Sequence, residues 1–305
     1  MNARRFLKND GFTLMELLIV IVILGFLIGM IAPRLSSIIG DTVIDNVCDS
    51  NNKGMRNYVN LFLQQKSRLP AEMINLVDFS SGAYVIPETS DDDPTNGAEP
   101  FASDFAFRND PTLYLLNTAE VDEIKSKFGF ATVRQLVGAG GQPYEKATLA
   151  DTMGVAMVGA AETDTALAIT GWIDADAGGY PVGNPFWLGR IILGIGKHSE
   201  LVTAGFIQAA ALCPGGIQNA DNVSYNNYCL ILPRLEATLD RIGNAAAGDL
   251  TGVELTFVDA ADTTDGERVT FTMEAQDAWQ FDFTCPEGHK WPDNDNDNWV
   301  YSAGL

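Results

Sequence analysis

The sequence predicts an α+β chain: one long amino-terminal α-helix, then a large, mainly antiparallel β body. Three observations carry that expectation. An apolar run, FTLMELLIVIVILGFLIGMIA, fills residues 12–32. Apolar side chains then recur at near-helical spacing at Leu35, Ile39, Val43, Val47, Met55, Tyr58, Val59 and Phe62. From residue 153 onward that period gives way to short runs with strand character: GVAMVG, ALAITGWI, WLGRIILGIG, VELTFVD, RVTFTME and AWQFDFTC.

The first run would make about 30 Å of helix, enough to cross a hydrocarbon core. Arg4, Arg5 and Lys8 against Asp10 make the amino terminus basic, while 40 acidic and 19 basic residues give the whole chain a formal charge of −21. A basic start, an apolar run and an acidic body place the terminus in the cytoplasm and the body outside. So acidic a surface repels phosphate backbones, and no nucleic-acid partner is expected. A cleaved secretory signal fits poorly. The run is too long, carries Glu16 near its start, lacks an A-x-A site and meets Pro33 directly after Ala32. A plain anchor explains the length but not Glu16, since an ionisable residue in a spanning segment is costly and marks a function with a partner.

The segment KNDGFTLMELLIVIVILGFLIGMIAPRL resembles the amino termini of type IV pilins and type II secretion pseudopilins. A short basic leader ends in Gly11, Phe12 and polar Thr13 follow, Glu16 comes next, and Gly25 and Pro33 fall where many members carry glycine and proline. The resemblance covers roughly the first fifth of the chain. It implies a leader at 1–11, cleavage between Gly11 and Phe12 by a prepilin peptidase, and methylation of the new amine. It also implies a transmembrane and filament-core helix at 12–33, an amphipathic continuation at 34–68, and an extracytoplasmic globular domain at 69–305 on which that helix packs. The implied partners are further copies of the chain, other pilins and an inner-membrane assembly platform. The protein would be single-pass in the cytoplasmic membrane before assembly, and in an extracellular or periplasmic filament afterwards. Glu16 would face the cationic amino terminus of a neighbouring subunit, and two charges that are costly alone in an apolar bundle would fix the stacking register. Gly25, Gly29 and Pro33 admit two readings, ordinary close packing at a membrane exit or positions where the helix loosens on entering the filament.

Further along, Asn51, Asn52 and Gly54 predict a kink or weak turn in the amphipathic helix, and Leu69-Pro70 its end. Residues 71–150 read as irregular, with an exposed acidic loop at 88–100 and short helices around 113–127 and 131–138. Arg190 and the brevity of its apolar run predict a buried strand rather than a second span. SELVTAGFIQAAAL predicts a helix over 199–212, and 252–285 an antiparallel meander. More than 200 residues follow the helix, larger than many pilins and enough for two lobes. A minor pilin or tip adhesin, or a calcium-dependent binding module, is therefore the alternative to a structural subunit.

The four cysteines, in an exported chain, predict two disulfides. Cys213 with Cys229, closing a polar loop, is the simplest pairing and leaves Cys48 with Cys285; the other two connectivities stay open. No CxxC pair is present and histidine occurs twice, so zinc and haem are poor readings. Asp293, Asp295 and Asp297 in DNDNDN alternate as oxygen ligands do in calcium loops, but Asn298 and Gly304 replace the sixth-position glycine and twelfth-position glutamate. A candidate calcium site and a solvated acidic tail are the competing readings. His289, the His198-Ser199 pair and DADAGG at 174–179 assemble no recognisable catalytic motif, and no enzyme is expected.

Overall fold

The computed structural model describes residues 46–86, 100–101, 111–137, 144–158, 185–213, 227–241, 254–259, 268–285 and 299–302. The chain divides into two compact units, Met1–Val47 and Cys48–Leu305, and the first lies almost wholly outside those residues. Among the described residues no helix is long and apolar enough to cross a membrane.

Residues 46–66 form helix α1. Its buried positions, Cys48, Asn52, Met55, Val59 and Phe62, step by four, three, four and three, a single face at 3.6 residues per turn. Tyr58 and Leu61, from the opposite face, stay 43% and 42% exposed. No turn interrupts the helix at Asn51, Asn52 and Gly54: it runs through them unbroken. Anchoring by the buried positions on either side outweighs the roughly 1 kcal/mol that a helical glycine costs. The helix stops where Ser67 turns left-handed (φ 55°), its N–H still donating to the Leu63 carbonyl at 2.8 Å.

The body is built on an eight-stranded sheet: β1 Met73–Asp78, β2 Pro111–Leu115, β3 Thr132–Leu136, β4 Tyr144–Thr148, β5 Gly154–Val158, β6 Ile191–Gly194, β7 Cys229–Ile231 and β10 Asp282–Thr284. Its main path runs β10-β7-β6-β1-β3-β4. Among the described strands of this sheet only β1 and β3 pair in parallel; the other ladders are antiparallel. Strands β5 and β1 share one edge of β6, β5 meeting Ile191 and Ile192, and β1 meeting Leu193 and Gly194. Buried Asn75 on β1 stitches the two together, its Nδ2 donating to the Gly154 carbonyl at 2.7 Å.

Side chains alternate between the sheet's faces with period two. Val155, Met157, Ile191, Leu193 and Leu230 join α1 in one core cluster. Ala156, Val158, Ile192, Cys229 and Ile231 join Phe101 and Trp187 in the other. Strands buried on both faces read as unbroken apolar runs, which is why GVAMVG and IILG stand out.

Arg190, just before β6, is buried as expected of a strand in the core. Its Nε donates to the Leu232 carbonyl at 2.7 Å, and its Nη2 to the carbonyls of Ile231 and Gln280. The strand β8 Glu254–Asp259 pairs with β9 Arg268–Thr272 as the expected meander requires. The third run leaves it: β10 joins β7 in the large sheet, and β11 Trp299–Ser302 takes the place beside β8.

Two expected helices are corrected. Over 131–138 the chain forms strand β3, because β-branched Thr132 and Val133 find a parallel partner in β1. Over 199–212 one short helix forms, α3 Glu200–Thr203, capped by the Ser199 hydroxyl. Gly205 at φ 77° ends the turn, and the alanines beyond it are not helical despite their propensity. Over 113–127 the chain is part strand, then α2 Thr118–Glu123 and a π-turn Ile124–Phe128 closed by Gly129. A Cβ at Gly129 would lie 2.5 Å from the Arg68 Cβ, so that turn needs glycine.

Candidate functional site

The described cysteines sort themselves by strand periodicity. On β7, Cys229 pairs in register with Thr284 of β10, so both side chains point to the face of Trp187 and Ile231. Cys285, one residue on, and Tyr228, one residue back, face the opposite side, toward α1. Cys213 reaches the same place just after the bridge between Leu212 and Asn227. Cys48, on the inward face of α1, completes the group.

The Sγ atoms of Cys48, Cys213 and Cys285 all lie within 4.8 Å of one another, with Cys48 and Cys213 at 3.7 Å. All three are fully buried. The Tyr228 hydroxyl donates to the Cys48 carbonyl at 3.2 Å. Burial raises the Cys285 thiol well above its ordinary range, and the neighbouring Cys213 and Cys48 add to the effect. Burial raises the Tyr228 phenol in the same way.

No disulfide joins any of the four cysteines. The expected Cys213–Cys229 pairing is not what the structure shows: Cys229 lies on the other face of the sheet, its Sγ 3.5 Å from the Asn227 carbonyl and its thiol raised by burial alone. Cys48 and Cys285 do come together, but with Cys213 as a third member. The trio spans three distant chain segments, so no local spacing announces it. The signal that was available is the alternation Tyr228-Cys229 beside Thr284-Cys285, which separates Cys229 from Cys285 once β7 and β10 are known to pair. Asn52, four residues after Cys48, gives no signal in the sequence beyond that of an interruption in the helical stripe.

Several other charged groups among the described residues pair with one another. Glu120, wholly buried, closes a capping box with Asn117 and accepts from Tyr114, from Thr238 at 2.8 Å and from Arg241 at 2.6 Å. Burial first, then Glu120, pushes the Tyr114 phenol up. Arg68 holds Glu200 with both terminal guanidinium nitrogens, and Arg134 and Lys146 hold Glu72. These bonds lower both carboxylates below the ordinary 4.5. Ser199 caps α3 through its hydroxyl, and burial lowers the adjacent His198.

Gly11, Phe12, Thr13, Glu16, Gly25 and Pro33 lie outside the described residues, as do Asp293, Asp295 and Asp297, His289 and DADAGG at 174–179. For the first group the comparison with known families speaks instead: residues 7–32 match the prokaryotic N-terminal methylation motif. The chain carries the prepilin-type signature of type IV pilins and pseudopilins. That signature includes Gly11, Phe12, Thr13, Glu16 and Gly25 and stops one residue short of Pro33. No curated protein and no solved structure matches the chain.

Proposed function

We propose that this protein is a subunit of a type IV pilus-like or pseudopilus filament, cut after Gly11 and polymerising through the helix that begins at Phe12. The observation that carries the reading is the prepilin-type motif at residues 7–32. It combines a basic leader, a cleavage-site glycine, an aromatic residue and one carboxylate in an otherwise apolar run. A carboxylate there is costly unless paired, and the methylated α-amine of a neighbouring subunit is the cation that polymerisation supplies. The role is structural rather than catalytic. The single-pass precursor sits in the cytoplasmic membrane and the assembled subunit outside it, with prepilin peptidase and an assembly platform as partners.

Two features of the body fit such a subunit. Helix α1 lays its inner face into the core through Met55, Val59 and Phe62 and leaves Tyr58 and Leu61 outward. The bidentate Arg68–Glu200 pair ties the segment just beyond α1 to α3. Force along the filament would therefore meet a helix end held by side chains as well as by backbone.

Glu16→Ala tests the reading. The variant is expected to reach the membrane fraction at the native level and to form far fewer filaments by electron microscopy of sheared cells. Native filament numbers from Glu16→Ala would contradict the assignment.

A further inference from the structure

We infer that Cys48, Cys213 and Cys285 form a buried site for a thiophilic divalent ion of the zinc class, which fastens α1 to the sheet. The inference stands on the body alone and does not depend on the fate of residues 1–11.

Sulfur spacing is the first argument. A zinc ion holds thiolates at about 2.3 Å, which sets neighbouring sulfurs of a tetrahedral site about 3.8 Å apart. Cys48 and Cys213 stand at 3.7 Å, and all three sulfurs lie within 4.8 Å of one another. A disulfide needs about 2.05 Å, joins only two sulfurs and would strand the third thiol in the core. Three sulfurs converging at one point, each from a different segment, suit one ion better than one bond.

Asn52 is the second and independent argument. It is 1% exposed, and neither its Oδ1 nor its Nδ2 has a hydrogen-bond partner among the described residues. Leaving a buried amide unsatisfied costs about 1–3 kcal/mol. Asn52 follows Cys48 by one helical turn on the same face, and helical side chains lean toward the amino terminus, here toward Cys48. Its amide is therefore placed to serve a charged sulfur–metal unit, by donating to a thiolate or lending its oxygen.

Binding breaks three S–H bonds, forms three sulfur–metal bonds and releases three protons to solvent, with no change in oxidation state. A coordinated thiol deprotonates outright, and the ion's charge compensates the thiolates it binds. The lack of a CxxC pair does not count against the site, because the sheet and α1 supply the convergence that local spacing supplies elsewhere.

The test uses the full chain purified from membranes without added thiol or chelator. Elemental mass spectrometry is expected to find close to one zinc per chain. Exchange with cobalt(II) is expected to give intense near-ultraviolet thiolate-to-cobalt absorption. Cys213→Ser should lose most of the metal, and Cys229→Ala, on the other face, should keep it. Should Cys213→Ser fail to fold, the native protein still decides. Less than a tenth of an equivalent of metal, with no cobalt spectrum after reconstitution, overturns the inference. So does a disulfide between any two of the three in the purified chain.

Discussion

The two faces of the sheet at its central strands β5, β6 and β7 are both buried, yet they differ in what they hold. The α1 face gathers Cys48, Cys213 and Cys285, with Tyr228 bonded to the helix backbone. The opposite face packs Trp187 and Phe101, has the Trp187 indole donating to Asp282 at 2.8 Å, and holds one cysteine, Cys229. One strand step separates Tyr228 from Cys229 and Thr284 from Cys285, and that step decides which thiols can meet. The difference teaches that a cysteine's partner here is set by face before it is set by distance along the chain. Sixteen residues separate Cys213 from Cys229 and they lie on opposite sides; 165 separate Cys48 from Cys213 and their sulfurs touch.

The largest expected effect breaks one face without the other. Phe62→Ala, in the α1 cluster, and Trp187→Ala, in the opposite one, should each cost roughly 3–5 kcal/mol in chemical denaturation. With chelator present, native-state thiol labelling should speed up at Cys48, Cys213 and Cys285 in the first variant and at Cys229 in the second. Equal acceleration of all four in either variant would mean the faces do not open separately.

A smaller effect sharpens the role of the helix end. Glu200 is held below 4.5 chiefly by its bonds from Arg68. A lowered carboxylate contributes stability that is present above its unfolded value and lost as pH falls through the folded one. Glu200→Gln should therefore cost at most about 1 kcal/mol at neutral pH. It should also flatten the loss of stability below pH 4.5, leaving the share that Glu72 contributes through Lys146 and Arg134. An unchanged acid profile would show that the Arg68 pair does not hold the helix end. Smallest of all, Tyr58→Ala on the outward face should change stability by no more than about 0.5 kcal/mol, read from the same denaturation curves.

The strands that could be read ahead of the structure are those whose pattern is local. GVAMVG and IILG are unbroken because both faces are covered, and VELTFVD and RVTFTME alternate and pair with each other. Strands β1 and β2 were missed because their partners are remote, β1 pairing with β3 some sixty residues on and β2 with β5 about forty. Strands β3 and β4 pair locally, but five residues each carry too few positions to show a period. The third run of the meander was misplaced for the same reason, since β10 is claimed by β7. The thiol trio depends on that same pairing, which no spacing of cysteines encodes. At the amino terminus the opposite holds. Cleavage chemistry and a single carboxylate in an apolar run are local features, so residues 7–32 could be recognised without any tertiary contact.

The proposed filament role rests on that terminus, and the most direct measurement is mass spectrometry of the amino-terminal peptide from membrane-associated or filamentous protein. The expected result is a terminus at Phe12 bearing a methylated amine. An intact terminus at Met1, or one beyond Ala32, would contradict prepilin processing and leave Glu16 without its proposed partner.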